Sequence, residues 1–477
     1  MSRQSCPETK LSEVFASIEA EFSGDSSVIV SGVTQDSRSV QPGDVYCCVR
    51  GQTFDGHKFI DDAVARGAVA VVVDAPVSTV RPGIVVVSVK NVRDVLGPIA
   101  SRMFSHPAAS LTMVGITGTN GKTSTTELLA SILRAAGHKV AVFGTLTGER
   151  TTPEAIDLHA QLAHARETGV THVVMEVSSH ALDQSRVKGI EFAVGVLTNV
   201  TRDHLDYHGT EENYFAAKAK LFEAGVARIG VVNTDDLRGR LLFDVGSIPM
   251  RGYCLADAAD PVVQVSRVEF TWKGIQFSIP MGGRFTLMNA LAAITAADEL
   301  GVPHAAMVDG CASLEGVPGR FESVTNNADI GIVVDYAHTP DGLAEVLNSA
   351  RAVSSGRVIV VFGCGGNRDH GKRPLMGEVA HRLADVVYVT SDNPRTENPS
   401  LIIEDVLAGM PPNNGAIAIV DRAEAIASAI STARRGDIVV IAGKGHESTQ
   451  DIGGVLTPFS DVDVARSFVE KKEGGTA

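Results

Sequence analysis

Paired cysteine is what this sequence most plainly lacks. Its six cysteines, at 6, 47, 48, 254, 311 and 364, include no CxxC spacing, and the one adjacent pair has a geometry that rarely bridges. Reduced thiols are therefore expected, and with them a cytoplasmic location. Long apolar runs are missing as well: no stretch reaches membrane-spanning length, and residues 1–12 hold no apolar core suited to a signal peptide. No membrane insertion is expected. Nor is there an excess of positive charge. A formal net charge of −14 argues against a nucleic-acid binder or a ligand of anionic membranes, because both need a dominant basic surface. Any acidic ligand must meet a local basic pocket. Repeats and low-complexity tracts are absent too, and residues 471–477 read as a solvated end.

What is present is enough apolar material for several cores. The 477 residues are 44% hydrophobic and 21% charged, a composition that excludes disorder and suits roughly two to four domains. Short apolar runs at 69–73 and 84–87, with a helix-like segment at 57–66, make a small α/β domain ending near His106-Pro107. From 111 a strand runs to 116, followed by a Gly-rich turn and a helix over 124–136 stopped by Gly137. Further buried strands at 172–177, 194–200 and 229–232 alternate with helical segments, the pattern of a mostly parallel sheet. Alternating apolar residues around Lys273-Gly274 predict a β-hairpin over 263–279. After Arg320 a third series follows, with strands at 330–334, 358–362, 386–390 and 438–441. The expected fold class is α/β in three domains: 1–107, 108–325 and 326–477.

The run Gly118-Thr119-Asn120-Gly121-Lys122-Thr123 lies between the 111–116 strand and the helix. Glycines there let backbone N–H groups converge on phosphate oxygens, the helix N-terminus favours negative charge, and Lys122 can reach the outer phosphates. Thr123 is then placed for Mg²⁺. The strict GxxxxGK[ST] spacing fails because Ile116 stands where its first glycine would be, so this is a variant loop. Polar groups also follow two strands, Glu176 to His180 and Asn199 to Asp206. Ligands of open α/β sheets sit at strand carboxyl ends, so Glu176 and His204 are expected to converge on the phosphate loop as oxygen and imidazole donors to Mg²⁺.

In combination, GTNGKT at 118–123, EVSSHAL at 176–182, NVTRDHLDYHG at 199–209, MNALAA at 288–293, GRFE at 319–322 and DYAHTPDGL at 335–343 closely resemble the Mur ligases. These are the ATP-dependent amide-forming enzymes of peptidoglycan assembly. The resemblance spans nearly the whole chain. It implies a central P-loop-type domain flanked by a small N-terminal α/β domain for the UDP end of the substrate and a C-terminal Rossmann-like closing domain. By matching position it implies that Gly118, Thr119, Asn120, Gly121, Lys122, Thr123, Asn289, Arg320, Asp335 and His338 hold ATP. It implies that Thr123, Glu176, His204 and a CO₂-derived carbamate on Lys218 serve the metal. Read without the family, Lys218 is a solvated helix residue. Ser37, Thr151, Thr152, Ser178, Gln184 and Arg186 match positions that contact a UDP-muramyl-peptide, here UDP-N-acetylmuramoyl-L-alanyl-D-glutamate.

Near the C-terminus, Asp392-Asn393-Pro394-Arg395 with Arg368, Gly443 and Glu447 matches a pocket for meso-diaminopimelate. Arginine's planar fork suits the distal carboxylate, whereas lysine-adding members usually replace Arg395. Read without the family, Arg395 is a surface residue on a loop. The implied chemistry is phosphorylation of a carboxylate by ATP to an acyl phosphate, which an amine then attacks; Lys122, Lys218, Glu176 and His204 are its catalytic set. A monomer is expected. The sequence departs from the family at Asn367, where an acidic residue is frequent, and at Thr286, where asparagine is common. Alternatives remain: the L-lysine-adding ligase, a folylpolyglutamate synthetase, which would lack the N-terminal domain, and a non-catalytic nucleotide-binding regulator, which would have lost Glu176, His204, Lys218 or Asp335.

Overall fold

Parallel strands that are covered on both faces read as unbroken Val/Ile/Leu runs, and the three sheets of this protein form where such runs occur. The structure, a computed structural model, describes residues 6–51, 54–77, 82–326 and 329–474. The central sheet has six strands in the order Met250–Tyr253, Ala227–Asn233, Phe192–Leu197, Thr112–Thr117, His172–Glu176 and Val140–Phe143. Every pairing in it is parallel. On one face Leu129 and Leu133 of the helix Lys122–Ala135 meet Ala290 and Leu291 of the helix Arg284–Glu299 in a shared core with Val114 and Ile116. On the other, Leu158 and Leu162 of the helix Ala155–Glu167 pack with Val173 and Phe192.

The N-terminal sheet runs Glu21–Ser23, Val85–Ser88, Ala70–Val73, Asp44–Cys47, Gly32–Thr34, antiparallel only at its Glu21–Ser23 edge. The C-terminal sheet runs Glu322–Ser323, Gly331–Asp335, Ile438–Ala442, Val358–Phe362, Val386–Val389, Ile417–Ala418. In the central sheet the chain fills the Val140–Phe143 side first and then crosses to Phe192–Leu197, so strand order reverses about Thr112–Thr117. Three adjacent strand ends, at Thr117, Glu176 and Leu197, therefore open onto one crevice, the place where such sheets bind ligands.

The structure departs from the sequence reading at element ends and in strands that reading did not name, among them Asp44–Cys47, Val140–Phe143 and Met250–Tyr253. The helix after the Gly-rich turn begins at Lys122 rather than 124, because the N-cap is Gly121 itself. The hairpin is present as Val268–Trp272 and Ile275–Ile279, with a third strand, Ala259–Val263, joined to it. The presumed tail is helical through Gly474, in the helix Asp461–Gly474, and residues 475–477 lie outside the described residues. No disulfide links the six cysteines, and no helix among the described residues is long and apolar enough to cross a membrane.

Candidate active site

Gly118 has φ 152° and Gly121 φ 85°, a region open to glycine and strained for other residues. Space excludes a side chain as firmly: a Cβ on Gly118 would stand 1.8 Å from Thr198 Oγ1, and one on Gly121 2.3 Å from Asn289 Oδ1. Asn289 thus lies against the loop. The loop is braced from the neighbouring strand end, where Asn120 N donates to Asn199 Oδ1 at 2.9 Å and Thr198 Oγ1 donates to Asn120 O at 2.6 Å. Thr119 Oγ1 lies 3.1 Å from the Tyr214 hydroxyl and accepts from Thr201 N at 3.0 Å.

Two amines converge on one carbonyl. Lys122 Nζ donates to Gly118 O at 2.8 Å and to Thr119 O at 2.9 Å, and Lys218 Nζ, on a side chain 1% exposed, donates to Gly118 O at 2.8 Å. Burial pushes the Lys122 pKa down, against the opposing charges of Glu176 and Asp203. Burial and the neighbouring Lys122 hold Lys218 well below the ordinary lysine range. Lys218 Nζ also sits 4.4 Å from the centre of the Tyr214 ring. Glu176 ends its strand in a buried position, where its carboxylate accepts from Thr145 N at 2.8 Å and Thr145 Oγ1 at 3.2 Å. His204 takes a left-handed turn, φ 52°, which sets its ring edge-on to His180 at 4.7 Å. Desolvation takes its pKa to about 4 despite Asp203 Oδ2 at 3.4 Å, so the imidazole is neutral at pH 7.

The C-terminal sheet reaches this crevice through Arg320. Its Nη2 donates to the buried Thr123 hydroxyl at 3.0 Å, and its guanidinium lies 4.7 Å over the Tyr336 ring. Asp335 does not point freely at a ligand: its two oxygens accept from Phe321 N at 2.7 Å and Ala337 N at 2.8 Å, and burial raises its pKa. It pins the backbone directly after Arg320 and directly after Tyr336. His338 Nδ1 donates to Tyr336 O at 3.0 Å, while Lys372 Nζ donates to His338 O at 2.8 Å. Between the two sheets lies a cavity of about 800 Å³ lined by Asn120, Gly121, Asn289, Arg320 and Asp335, a size suited to a nucleotide.

Thr151, Thr152, Ser178, Gln184 and Arg186 form one network beside Glu176. Thr152 Oγ1 donates to Glu176 O at 2.9 Å and accepts from Ser178 N at 3.0 Å. Arg186 donates to Thr152 O at 3.0 Å and Gln184 Oε1 at 2.8 Å, and pairs with Glu154 at 3.0 Å. Thr151 Oγ1 lies 3.1 Å from Thr145 Oγ1, which ties this group to the Glu176 carboxylate. Ser37 stands apart from them, buried on the short turn Ser37–Ser39 of the N-terminal sheet.

The third group gathers at the carboxyl ends of Val386–Val389 and Ile438–Ala442. A Cβ on Gly443 would be 2.7 Å from Asp392 Oδ2, and Asn393 Nδ2 donates to Glu447 Oε2 at 2.7 Å. Arg395 is held at φ 52° with Nη1 donating to Gly366 O at 2.7 Å. Arg368 is exposed, and a Cβ on Gly365 would lie 3.0 Å from Arg395 Nη1 and 3.9 Å from Arg368 Cγ, so both arginines flank that glycine.

The sequence reading missed four groups. Asn199 braces the phosphate loop, and Asp203 sits where the charges of His204, His338 and Lys372 all act on it. Lys444, fully buried, donates to Asn393 Oδ1 at 3.0 Å, Glu447 Oε2 at 2.9 Å and Thr449 O at 2.7 Å. His446 stacks obliquely on Tyr336 with ring centres 5.2 Å apart. A signal existed for the last two: Gly443-Lys444-Gly445-His446-Glu447 is a second glycine–lysine run directly after a buried strand.

Fold and site together define an α/β protein of the nucleotide-using class, with a glycine-rich loop at the switch point of its central sheet that Arg320 ties to the C-terminal sheet. Residues 29–103 match the Mur ligase family catalytic domain, 116–297 the Mur ligase middle domain and 319–445 the Mur ligase glutamate ligase domain. The UDP-N-acetylmuramoyl-L-alanyl-D-glutamate–2,6-diaminopimelate ligase of Synechococcus elongatus is 44% identical over 93% of this chain and 95% of its own. That of Syntrophomonas wolfei subsp. wolfei is 41% identical over the same shares. A solved structure of a ligase of that name is 33% identical, covers 98% of this chain and 100% of its own, and superposes with a TM-score of 0.69. The MurF ligase of Thermotoga maritima in complex with ADP, 22% identical, shares the fold over 93% of this chain and 98% of its own, with a TM-score of 0.63. The chain belongs to the Mur ligase family and is an ATP-dependent ligase.

Proposed function

We propose that this ligase joins meso-diaminopimelate to the D-glutamate γ-carboxylate of UDP-N-acetylmuramoyl-L-alanyl-D-glutamate. ATP phosphorylates that carboxylate, the amine attacks the acyl phosphate, and ADP and phosphate leave. In this reading the units 1–107, 108–325 and 326–477 receive the UDP end, ATP and the amino acid respectively. The enzyme acts as a cytoplasmic monomer in peptidoglycan precursor synthesis. The carrying observation is the link that Arg320 makes: its Nη2 reaches Thr123 at the end of the Gly118–Thr123 cradle, and its guanidinium lies over Tyr336, against which His446 of the 443–447 loop packs.

Each group has a task set by its surroundings. Backbone amides of 121–123 and the positive end of the helix Lys122–Ala135 receive the phosphates, and Lys122, held back by Gly118 O and Thr119 O, turns to the outermost one. Arg320, already on Thr123, neutralises charge during transfer. Thr152, Ser178, Gln184 and Arg186 orient the carboxylate-bearing peptide, and Ser37 meets the UDP end.

Among the described residues no group of three or more His, Cys, Asp or Glu side chains is arranged to hold a metal ion. That sparse donor set suits Mg²⁺, which keeps waters and binds through one or two protein groups plus substrate phosphates. Thr123 and Glu176 would hold it beside the phosphates, with His204 and a carbamate on Lys218 serving a second ion. When bound, Mg²⁺ neutralises phosphate charge. At the amino-acid end Arg395 and Arg368 meet the distal carboxylate. Glu447 Oε2 is committed to Asn393 and Lys444, so Oε1 is the oxygen left for the ammonium. Phosphate release from ATP that requires both the UDP-muramyl dipeptide and diaminopimelate is the expected result. Release that ignores the amine would contradict the reading.

A further inference from the structure

His446 is absent from every role assigned above, yet it occupies the seam between the phosphate end and the amino-acid end. Two close approaches seat it there. A Cβ on Gly319 would lie 2.1 Å from His446 N, and one on Gly445, whose φ is 52°, would lie 2.7 Å from Tyr336 Cβ. Neither residue can carry a side chain while the 319–321 turn and the 443–447 loop pass this closely. The imidazole then rests on Tyr336 at 5.2 Å, and the same tyrosine carries the Arg320 guanidinium, which reaches Thr123 on the phosphate loop. Charges from both ends act on the ring: Arg320 and Glu176 from the phosphate side, Glu447 from the amino-acid side. A carbonyl carbon that first bears phosphate and then receives an amine must pass through this seam.

The two ring nitrogens differ. Nδ1 is sealed from solvent and has no hydrogen-bond partner. A second proton there would create a buried, unpaired N–H on a cation, which burial and Arg320 both oppose. A neutral ring in such a seat keeps its one proton on Nε2, and a neutral imidazole is a competent hydrogen-bond donor to developing negative charge.

We propose that His446 is a catalytic residue of the amide-forming step, its neutral Nε2–H donating to the oxygen that becomes anionic when the amine adds to the acyl phosphate. The inference rests on the ligase reading above. The amine nitrogen forms a bond to the carbonyl carbon and the C=O π pair moves onto oxygen, where Nε2–H holds it. The pair then returns, the bond from carbon to the phosphate oxygen breaks, and phosphate leaves with that pair and with the proton from nitrogen. His446 neither gains nor loses a proton.

The test compares H446A, H446Q and H446N in amine-dependent phosphate release, with affinity for a phosphinate mimic of the tetrahedral adduct and for an ATP analogue measured alongside. A glutamine amide places an N–H where Nε2 lies; asparagine places it at Nδ1. H446Q should stay within about tenfold of the unmutated enzyme in kcat, while H446A and H446N fall about 100-fold or more, the scale of one lost oxyanion donor. Phosphinate affinity should fall in proportion, with ATP-analogue affinity nearly unchanged in all three. Near-normal turnover by H446A would overturn the proposal. So would an H446Q as inactive as H446A, the behaviour of a general base, or phosphinate binding indifferent to the substitution. A wild-type enzyme that releases no phosphate on adding amine would instead overturn the ligase reading itself.

Discussion

Lys218 has a single backbone acceptor, Gly118 O at 2.8 Å, for an amine that would carry three donors as an ammonium. Burial and Lys122 favour the neutral amine, the form that adds CO₂. A carbamate would turn this position from a would-be cation into an anion able to serve a metal. Lys218→Ala is expected to lose activity about 100-fold, the scale of removing a metal's supporting group, and to recover partly with a short carboxylic acid. Steady-state phosphate release checks it, and full activity without the acid would refute the role. Arg395→Ala should lower kcat/KM for diaminopimelate about 100-fold or more while leaving ATP affinity nearly intact, because in the proposed reading the arginine serves the far carboxylate and not the nucleotide. Titration with an ATP analogue supplies the control. The sequence displayed Lys122 and Thr123 openly, in a glycine-flanked run between strand and helix. It hid Lys218, whose helix Glu211–Ala219 is polar enough to pass for a solvated one and whose partner lies a hundred residues away. Asp335 was legible only through the family resemblance, and its service to Phe321 N and Ala337 N depends on a turn that no local pattern announces.

Among the elements, the helix Ala155–Glu167 has two masters. Ala155, Ile156 and Ala163 pack toward the N-terminal sheet, Leu158 and Leu162 toward the central one. His159 is fully buried between them with Nε2 3.4 Å from Lys188 O, and desolvation lowers its pKa to about 4. The unfolded chain binds this proton near the ordinary histidine value of 6.5, so the neutral burial stabilises fully above that pH and is lost as pH falls toward 4. Urea unfolding should show stability dropping by about 1–3 kcal/mol through that window, and less in His159→Gln. An equal slope in the variant would assign the effect elsewhere. Strands such as Val358–Phe362 were readable to the residue because parallel strands covered on both faces are uninterrupted apolar runs. Glu322–Ser323 and Ile417–Ala418, two residues each, were not, since no periodicity fits in so short a strand and the second is exposed.

For the whole molecule, the seam between the central and C-terminal sheets joins a small apolar contact at Phe285 to polar links, Arg320 on Thr123 at 3.0 Å and Arg284 N on Ser349 Oγ at 3.2 Å, beside a cavity of about 800 Å³. A seam with so little apolar contact leaves domains free to move, and a nucleotide that both sides grip shifts the population toward closure. Small-angle scattering should show compaction with an ATP analogue and the muramyl substrate together, and an unchanged radius of gyration would count against closure. In the proposed reading this chain adds meso-diaminopimelate, selected by Arg395, which has no carboxylate to meet when L-lysine enters. The direct measurement offers the enzyme ATP, UDP-N-acetylmuramoyl-L-alanyl-D-glutamate and equimolar meso-diaminopimelate and L-lysine, and weighs the products by mass spectrometry. The account predicts a product carrying diaminopimelate almost alone; comparable amounts of the lysine product, or no tripeptide product at all, would contradict it.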